Sequence, residues 1–332
     1  MILGIDIGGA NTKITEIEGE NYNIHHIYFP MWKKKDELED LLKNYNDNVD
    51  YVALVMTAEL ADCYKTKKEG VEDIINKVEK SFDCPIYVFD VNGNFLTSEE
   101  AKKNYLDVSA SNWMATAKLV SEFIKDSCIL VDMGSTTTDI IPIKDKNILS
   151  EKTDLDRMMN NQLVYVGTLR TPVSFLANKI EFRGKLTNLS SEYFAITADI
   201  SLILNKITEE DYTCDTPDGA GKDFESCLTR LARVLCADRE IVSDNELIDF
   251  ANKLYSNLLN LIRENVDTIA KRYNLNDVVI TGLGEEILKD ALDGYNIISI
   301  KETYGKDVSL ATPSFAVAKL LQKQLNEHKK MI

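Results

Sequence analysis

A ten-residue stretch near the start of the chain decides its fold, because it recurs in the middle. Residues 5–14 read IDIGGANTKI and residues 131–140 read VDMGSTTTDI, so that Asp, Gly, Thr and Ile recur at matched positions. In each copy an apolar strand leads into a polar turn and a returning strand. Two copies of such a hairpin in a chain of 332 residues predict two structurally related α/β domains.

Each predicted hairpin carries the groups that bind a phosphate. Glycines let the backbone approach a ligand, and N–H groups with small polar side chains in a tight turn form a phosphate cradle. A single Asp-x-Gly turn favours an ordinary β-turn, whereas two matched copies favour phosphate binding. The predicted cradle residues are Gly8, Gly9, Asn11, Thr12 and Lys13 in the first copy, and Gly134, Ser135, Thr136, Thr137 and Thr138 in the second.

Two carboxylates, Asp6 and Asp132, end the first strand of each copy and are candidates for holding Mg²⁺. Mg²⁺ is bound by carboxylate oxygens and water, and it bridges phosphate oxygens. A transition metal has little support, since no C-x-x-C pair occurs and the adjacent His25 and His26 point to opposite faces of a strand. Mg²⁺ is therefore the predicted cofactor.

A third element follows a predicted strand near the end of the chain. Gly282-Leu283-Gly284-Glu285 precedes a predicted helix at Glu286–Leu292. The N-terminus of a helix offers free N–H groups and a positive dipole end to an anion or nucleotide. Gly282, Gly284 and Glu285 are therefore candidate ligand-binding residues, although a plain strand-to-helix turn fits the same pattern equally well.

Composition limits the location and the partners of the protein. The net charge of −16 disfavours nucleic acid and anionic membranes as partners, and no run of 18 apolar residues occurs. The start of the chain reads as a strand rather than a signal peptide, and the scattered cysteines indicate a reducing compartment. We expect a cytoplasmic protein that acts on small molecules; the sequence does not indicate its oligomeric state.

The two hairpins and the third element, in this order, resemble the actin-like ATPase superfamily. The hairpins resemble its two phosphate motifs, Thr281–Glu285 resembles its adenosine motif, and the closing helix Ser314–Gln324 resembles the one that returns to the first domain. The resemblance covers the whole chain and implies two ribonuclease H-like domains with a cleft between them. The implied domains are residues 1–126 plus 312–332, and residues 127–311 with an inserted substrate region at about 154–244.

Two tracts narrow the resemblance to the hydantoinase A and oxoprolinase branch. These are VDMGSTTTDI at residues 131–140 and YVGTLRTPV at residues 165–173. The chain length and the tract TPDGAG at residues 216–221 are similar to an archaeal group of methanofuran-biosynthesis enzymes. This resemblance implies a transferase that joins the phenol oxygen of γ-glutamyltyramine to an aminomethyl-furanmethyl diphosphate and releases diphosphate.

For such a reaction, phosphate turns and Mg²⁺ would stabilise the leaving diphosphate as negative charge builds on it. The phenol needs a proton acceptor, and Asp132 and Asp139 are the candidates, although each can equally hold the metal. Asp139 begins the returning strand, so it can also simply face solvent. Lys13 and Arg170 can neutralise a phosphate or a substrate carboxylate; an ordinary surface cation is the alternative for both.

Two other functions are compatible with the same residues. One is an ATP-dependent amidohydrolase or small-molecule kinase, which the Thr136-Thr137-Thr138 run supports. The other is a nucleotide-binding switch or assembly protein without turnover. The bulky Leu283 leaves only part of the adenosine pattern, so diphosphate is favoured over ATP, which stays a possible ligand.

Overall fold

The computed structural model describes residues 1–330, which form two compact units. The first contains Met1–Asp126, Asp145–Ile148 and the described part of Ile300–Ile332, and the second contains Ser127–Lys144 and Leu149–Ser299. Residues 300–311, which the sequence analysis assigned to the second domain, therefore lie in the first unit. Met331 and Ile332 of the predicted range 312–332 lie outside the described residues.

The strands are short and fall into two main sheets and a separate hairpin. In chain order they are β1 (Ile2–Ile7), β2 (Asn11–Glu18), β3 (Asn21–Tyr28), β4 (Tyr51–Met56), β5 (Ile86–Phe89), β6 (Phe95–Thr97), β7 (Cys128–Met133), β8 (Thr138–Lys144), β9 (Asn147–Ile148), β10 (Leu163–Val164), β11 (Lys179–Phe182), β12 (Lys185–Asn188), β13 (Asp277–Thr281) and β14 (Asn296–Ser299).

The α-helices range from single turns to a thirty-residue element. In chain order they are α1 (Met31–Lys34), α2 (Leu38–Lys43), α3 (Lys67–Ser81), α4 (Ser98–Lys103), α5 (Tyr105–Val108), α6 (Asn112–Phe123), α7 (Asp154–Met159), α8 (Val173–Leu176), α9 (Thr197–Ile203), α10 (Phe224–Val234), α11 (Asp244–Tyr273), α12 (Glu285–Ala291), α13 (Ile300–Tyr304), α14 (Lys306–Leu310) and α15 (Thr312–Lys330).

The two main sheets share the order of five strands; the first sheet adds β6 at its edge, and in the second β9 also pairs with β8. In the first unit it is β3-β2-β1-β4-β5-β6, and in the second it is β10-β8-β7-β13-β14. In each sheet the central strand, β1 or β7, pairs antiparallel with the strand that follows it and parallel with a strand reached by a crossover. The prediction of two related α/β units is therefore confirmed.

The register of the two hairpins reproduces the sequence repeat. Asp6 lies opposite Lys13 in the first hairpin, and Asp132 lies opposite Asp139 at the matched position of the second. Each turn is closed by one backbone hydrogen bond, from Gly8 N–H to the Asn11 carbonyl (2.9 Å) and from Gly134 N–H to the Thr137 carbonyl (3.0 Å). The repeated residues therefore occupy equivalent places in the two units.

Helix α15 packs against the β1–β2 hairpin of the first unit. A Cβ placed on Gly4 would lie 2.1 Å from the Ser314 carbonyl oxygen, so only glycine allows this approach. The hydroxyls of Thr15 and Ser314 form a buried hydrogen bond of 2.8 Å. Both ends of the chain therefore build the first unit.

The second unit has its own core around the long helix α11. Its apolar stripe, which includes Leu254, Leu258 and Ile262, is buried with residues of β7, α9 and α10. Ser243 and Glu246 form a capping box at its start, and Asn274 ends it in the left-handed conformation. Of the helices within residues 1–330, none has the length and apolar composition that crossing a membrane requires.

Candidate functional site

The turn of the first hairpin is open at Gly9. A Cβ placed on Gly9 meets no atom within 4 Å, so this backbone is accessible from its Cα side. Two backbone hydrogen bonds from the segment after β3 hold the turn: Phe29 N–H donates to the Ala10 carbonyl (3.0 Å) and Met31 N–H to the Gly9 carbonyl (2.8 Å). A rigid turn with empty space at its glycine has the shape of a ligand cradle.

Three oxygens of this hairpin are buried without a hydrogen-bond partner: Asp6 Oδ1, Asn11 Oδ1 and Thr12 Oγ1. Buried polar atoms of folded proteins are nearly always paired, so such a group indicates a ligand, an ion or water. Asp6, Asn11 and Lys13 share one face of the hairpin, whereas Thr12 lies opposite Ile7 on the other face. The structure thus groups three of the predicted residues and separates Thr12 from them.

Asp6 lies 3.6 Å from the Lys13 ammonium. Burial raises the pKa of the Asp6 carboxyl, and the Lys13 charge opposes this rise. The other carboxylate oxygen of Asp6, Oδ1, and the Asn11 amide oxygen are hard oxygen ligands of the type that Mg²⁺ prefers. The residues present therefore fit a hydrated Mg²⁺ ion.

The second hairpin places two carboxylates directly opposite each other across the strands, Asp132 and Asp139. Like charges at such a position repel, and here the buried Arg157 of α7 pairs with Asp139. Burial raises the pKa of the Asp139 carboxyl, and the Arg157 guanidinium opposes this. Asp139 therefore contacts a buried arginine, and the alternative that it simply faces solvent was wrong.

The segment from Val166 to Arg170 covers the second turn. Thr168 N–H donates to the Gly134 carbonyl (3.0 Å), and the N–H groups of Leu169 and Arg170 both donate to the Ser135 carbonyl (3.1 and 3.0 Å). A Cβ on Gly167 would lie 2.4 Å from Thr136 N, so glycine is required at this crossing. The YVGTLRTPV tract thus builds the wall of the second turn and positions Arg170 beside it.

The hydroxyls of the second turn have different surroundings. Thr138 Oγ1 donates to the Val166 carbonyl (2.8 Å) and is fully buried, so this side chain fastens the covering segment. The Ser135 and Thr136 hydroxyls lie 3.4 Å apart and are partly exposed. The N–H groups and hydroxyls around Ser135 and Thr136 remain the predicted cradle of this hairpin.

The third element packs against the second hairpin. Gly282 has a φ of +95°, and a Cβ there would lie 2.6 Å from Asp132 Oδ1, so this glycine makes room for the carboxylate. Gly284 N–H donates to the Met133 carbonyl (2.9 Å), and Glu285 is buried and accepts from the Ser299 hydroxyl. Gly282 and Gly284 therefore have a packing role beside Asp132, whatever ligand they contact.

Sequence reasoning missed two buried charged residues near the hairpins. Arg157 lies in a stretch without helical or strand periodicity, so nothing indicated its burial. Glu59 is only 1% exposed, in the 3₁₀ turn Ala58–Leu60 that directly follows β4, the parallel neighbour of β1. Gly70 of α3 packs on its backbone, since a Cβ there would lie 2.7 Å from Glu59 Cα.

No cluster of three or more His, Cys, Asp and Glu side chains placed to hold a metal exists within residues 1–330.

Two sheets of the same strand order, each with a glycine-containing hairpin at its centre, define the actin-like ATPase fold. A nucleotide-free acetone carboxylase has this fold with a TM-score of 0.60 at 10% sequence identity, covering 96% of this chain and 70% of that one. The predicted fold class, two related ribonuclease H-like domains, is therefore confirmed.

Within this fold the chain belongs to the hydantoinase/oxoprolinase family, whose model matches residues 50–324. A protein of Methanocaldococcus jannaschii named (4-{4-[2-(gamma-L-glutamylamino)ethyl]phenoxymethyl}furan-2-yl)methanamine synthase is 93% identical over 327 residues, covering 98% of this chain and 99% of that protein. A Methanococcus vannielii protein of the same name is 60% identical over 216 residues, covering 63% of this chain and 97% of that sequence. The narrower resemblance drawn from the motifs is thus confirmed.

Proposed function

We propose that this protein is a transferase of methanofuran biosynthesis that forms an aryl ether. It joins the phenol oxygen of γ-glutamyltyramine to the furanmethyl carbon of an aminomethyl-furanmethyl diphosphate. The observation that carries this choice is the 93% identity to the Methanocaldococcus jannaschii synthase over nearly the full length of both chains. The product named for that synthase contains the phenoxymethyl-furan ether that such a reaction forms.

The reaction exchanges one carbon–oxygen bond for another. The phenol loses its proton, its oxygen bonds to the furanmethyl carbon, and the bond from that carbon to the diphosphate oxygen breaks with its electron pair. The products are the ether, diphosphate and one proton. The enzyme must therefore bind a polyanion whose charge grows, accept a proton and align two substrates.

The polar groups of both hairpins suit the leaving diphosphate. The first contributes the open backbone at Gly9 and the unpartnered oxygens of Asp6 and Asn11, and the second contributes the turn around Ser135 and Thr136. Asp6 would hold Mg²⁺ at the first hairpin, and Asp132 is the candidate metal ligand at the second; the metal when bound neutralises charge on a phosphate.

Asp132 and Asp139 are both candidates for the proton acceptor, and each can equally hold the metal. Asp139 pairs with the buried Arg157, while burial raises the pKa of its carboxyl. Asp132 lies opposite Asp139 in the hairpin, and the lack of a side chain at Gly282 leaves room for its carboxylate. Asp139 also holds Arg157 and, through it, the start of the inserted region.

We place this reaction in the cytoplasm, with small molecules as the only partners that the proposal requires. The six cysteines are all free, as in a reducing compartment. Mg²⁺ is the proposed cofactor. The activity assay is also run with ATP, because the third element resembles an adenosine motif.

The decisive experiment incubates the purified protein with both substrates and Mg²⁺ and measures diphosphate release and ether formation by mass spectrometry. We expect equimolar ether and diphosphate, no product when either substrate is omitted, loss of turnover with chelator and no requirement for ATP. Folded protein that makes no ether from both substrates would refute the proposal. Ether that forms only with ATP hydrolysis would favour the ATP-dependent alternative.

A further inference from the structure

Thr57 lies beside the turn of the first hairpin, although it belongs to another segment of the chain. It directly follows β4, which pairs parallel with β1 so that Met56 lies opposite Ile7. Its N–H donates to the Ile7 carbonyl (2.9 Å), and its Oγ1 lies 3.6 Å from the position that a Cβ on Gly8 would occupy. Because Gly8 has no side chain, the Thr57 hydroxyl lies next to the turn.

The hydroxyl of Thr57 is not used in the way that its position favours. Thr57 precedes the 3₁₀ turn Ala58–Leu60, and a threonine at such a place usually accepts a hydrogen bond from a backbone N–H of the turn. No such bond is formed here, and among residues 1–330 the hydroxyl has no hydrogen-bond partner. By contrast, the Thr66 hydroxyl, which precedes α3, accepts from the Glu69 N–H (3.1 Å). The Thr57 hydroxyl is therefore available to a ligand.

The segment that carries Thr57 is held rigidly. Gly70 of α3 packs against it so closely that a Cβ there would lie 2.7 Å from Glu59 Cα and 2.9 Å from the Glu59 carbonyl oxygen. The Ala61 N–H donates to the Ala58 carbonyl (2.9 Å) and closes the 3₁₀ turn. A binding group that is already fixed loses little conformational entropy when the ligand arrives, so Thr57 is preorganised.

The side chains of the first hairpin itself offer a ligand mainly acceptors. Asp6 Oδ1 and Asn11 Oδ1 are buried without a hydrogen-bond partner and suit a cation, and the Lys13 ammonium lies 3.6 Å from the other Asp6 oxygen. The Thr12 hydroxyl lies on the opposite face of the hairpin. A phosphate needs donors, and a hydroxyl can donate, so Thr57 supplies from β4 what the hairpin side chains lack.

We propose that the Thr57 hydroxyl donates a hydrogen bond to an oxygen of the diphosphate bound at the first hairpin. This inference rests on the proposed function and deepens it, because it adds a residue of a second segment to the diphosphate site. Only the hydroxyl is assigned, and not the N–H groups of the three-residue 3₁₀ turn. A hydrogen bond to a charged oxygen is stronger than one between neutral groups, so a single hydroxyl has a measurable effect on binding.

The test measures the binding of inorganic diphosphate by calorimetry at a fixed Mg²⁺ concentration, together with thermal unfolding. We expect T57V to bind diphosphate about 10- to 100-fold more weakly than the wild type and to unfold at the same temperature, because it loses a bond to the ligand and none to the protein. T57S keeps the hydroxyl and should bind like the wild type. The matched control is T66V, which should bind diphosphate normally and unfold at a lower temperature, because it loses the cap of α3.

The inference is overturned when the wild type does not bind diphosphate, or when T57V binds it equally well. It is also overturned when T57S binds as weakly as T57V, or when T57V unfolds at as low a temperature as T66V, since the hydroxyl then stabilises the protein instead. Because the ligand is inorganic diphosphate, the inference and the reaction fail separately. Weaker binding by T57V in a protein that forms no ether refutes the reaction alone, and ether formation with unchanged T57V binding refutes the inference alone.

Discussion

The two hairpins have the same register but satisfy their polar groups differently. In the second unit, Thr138 is bonded to the covering segment and Asp139 to Arg157. In the first unit, the matched threonine Thr12 has a buried hydroxyl without a hydrogen-bond partner. The Asn11 amide oxygen and one carboxylate oxygen of Asp6 are also buried without one. Leaving such a group unpaired costs about 1–3 kcal/mol, so the first hairpin is maintained at a cost that a bound ligand would offset.

The two hairpins therefore differ in what their polar groups contact, although their sequences are similar. The second hairpin is held by its own unit, where Thr138 bonds to the Val166 carbonyl and Asp139 pairs with Arg157. The first hairpin is open and under-satisfied, and it is the one whose side chains we expect to depend most on the ligand. The following experiments compare positions in the two hairpins or in the contacts that hold them.

The largest effects are expected at the two strand-end carboxylates. We predict that D6N and D132N each lower kcat by about 10²- to 10⁴-fold, because each removes a charge that acts on the proton or the leaving group. D6N should also keep or raise the melting temperature, since it relieves a buried carboxylate. D47N, at an exposed aspartate of the first unit, is the control. Wild-type kcat in both variants would contradict the assigned roles.

Breaking the Arg157–Asp139 ion pair should lower the free energy of unfolding more than breaking an exposed ion pair of the same unit. R157M leaves the partly buried Asp139 without its arginine, and we predict a loss of about 3–5 kcal/mol in the free energy of unfolding, measured by denaturant titration. R183Q removes an exposed ion pair and should cost about 1 kcal/mol or less. Equal losses in the two variants would show that Asp139 does not need its arginine.

Two glycines distinguish packing from ligand access. G167A forces a Cβ against the Thr136 backbone at 2.4 Å, and overpacking of this kind costs about 1–3 kcal/mol. G9A meets no protein atom within 4 Å, so its thermal unfolding should match the wild type. Its KM for the diphosphate substrate should rise about tenfold, since the methyl group fills the cradle. A normal KM in G9A would place the diphosphate elsewhere.

The smallest effects are expected at the matched threonines. T138V breaks the bond to the Val166 carbonyl and should lower the free energy of unfolding by about 1–2 kcal/mol. T12V removes an unpaired buried hydroxyl and should leave stability unchanged or improved. Calorimetric melting of the two variants side by side checks this, and a larger loss in T12V would reverse the comparison.

The features that the sequence predicted are those with a local pattern. The strands β1 and β7 follow from their apolar runs, and the turns and returning strands of both hairpins follow from the repeat at Asp6 and Asp132. The closing helix was also predicted, although it begins at Thr312 and is longer than the predicted Ser314–Gln324.

The features that were not predicted depend on contacts between distant segments. The ion pair of Asp139 with Arg157 and the burial of Glu59 carry no periodic signal, and a charged residue is normally expected at the surface. The glycine of the supposed adenosine motif, Gly282, was assigned to a ligand because the sequence cannot show that Asp132 occupies the space beside it.

The packing of α15 on β1 also has a consequence for biosynthesis. The ribosome releases β1 and its sheet first, but the helix that covers Gly4 emerges only after the whole second unit, residues 127–144 and 149–299, has been made. The second unit is nearly continuous in the chain and can fold as it appears, whereas the first must wait with one face of its sheet uncovered. Nascent chains stalled before residue 312 should therefore contain a protease-resistant second unit and a protease-sensitive first one.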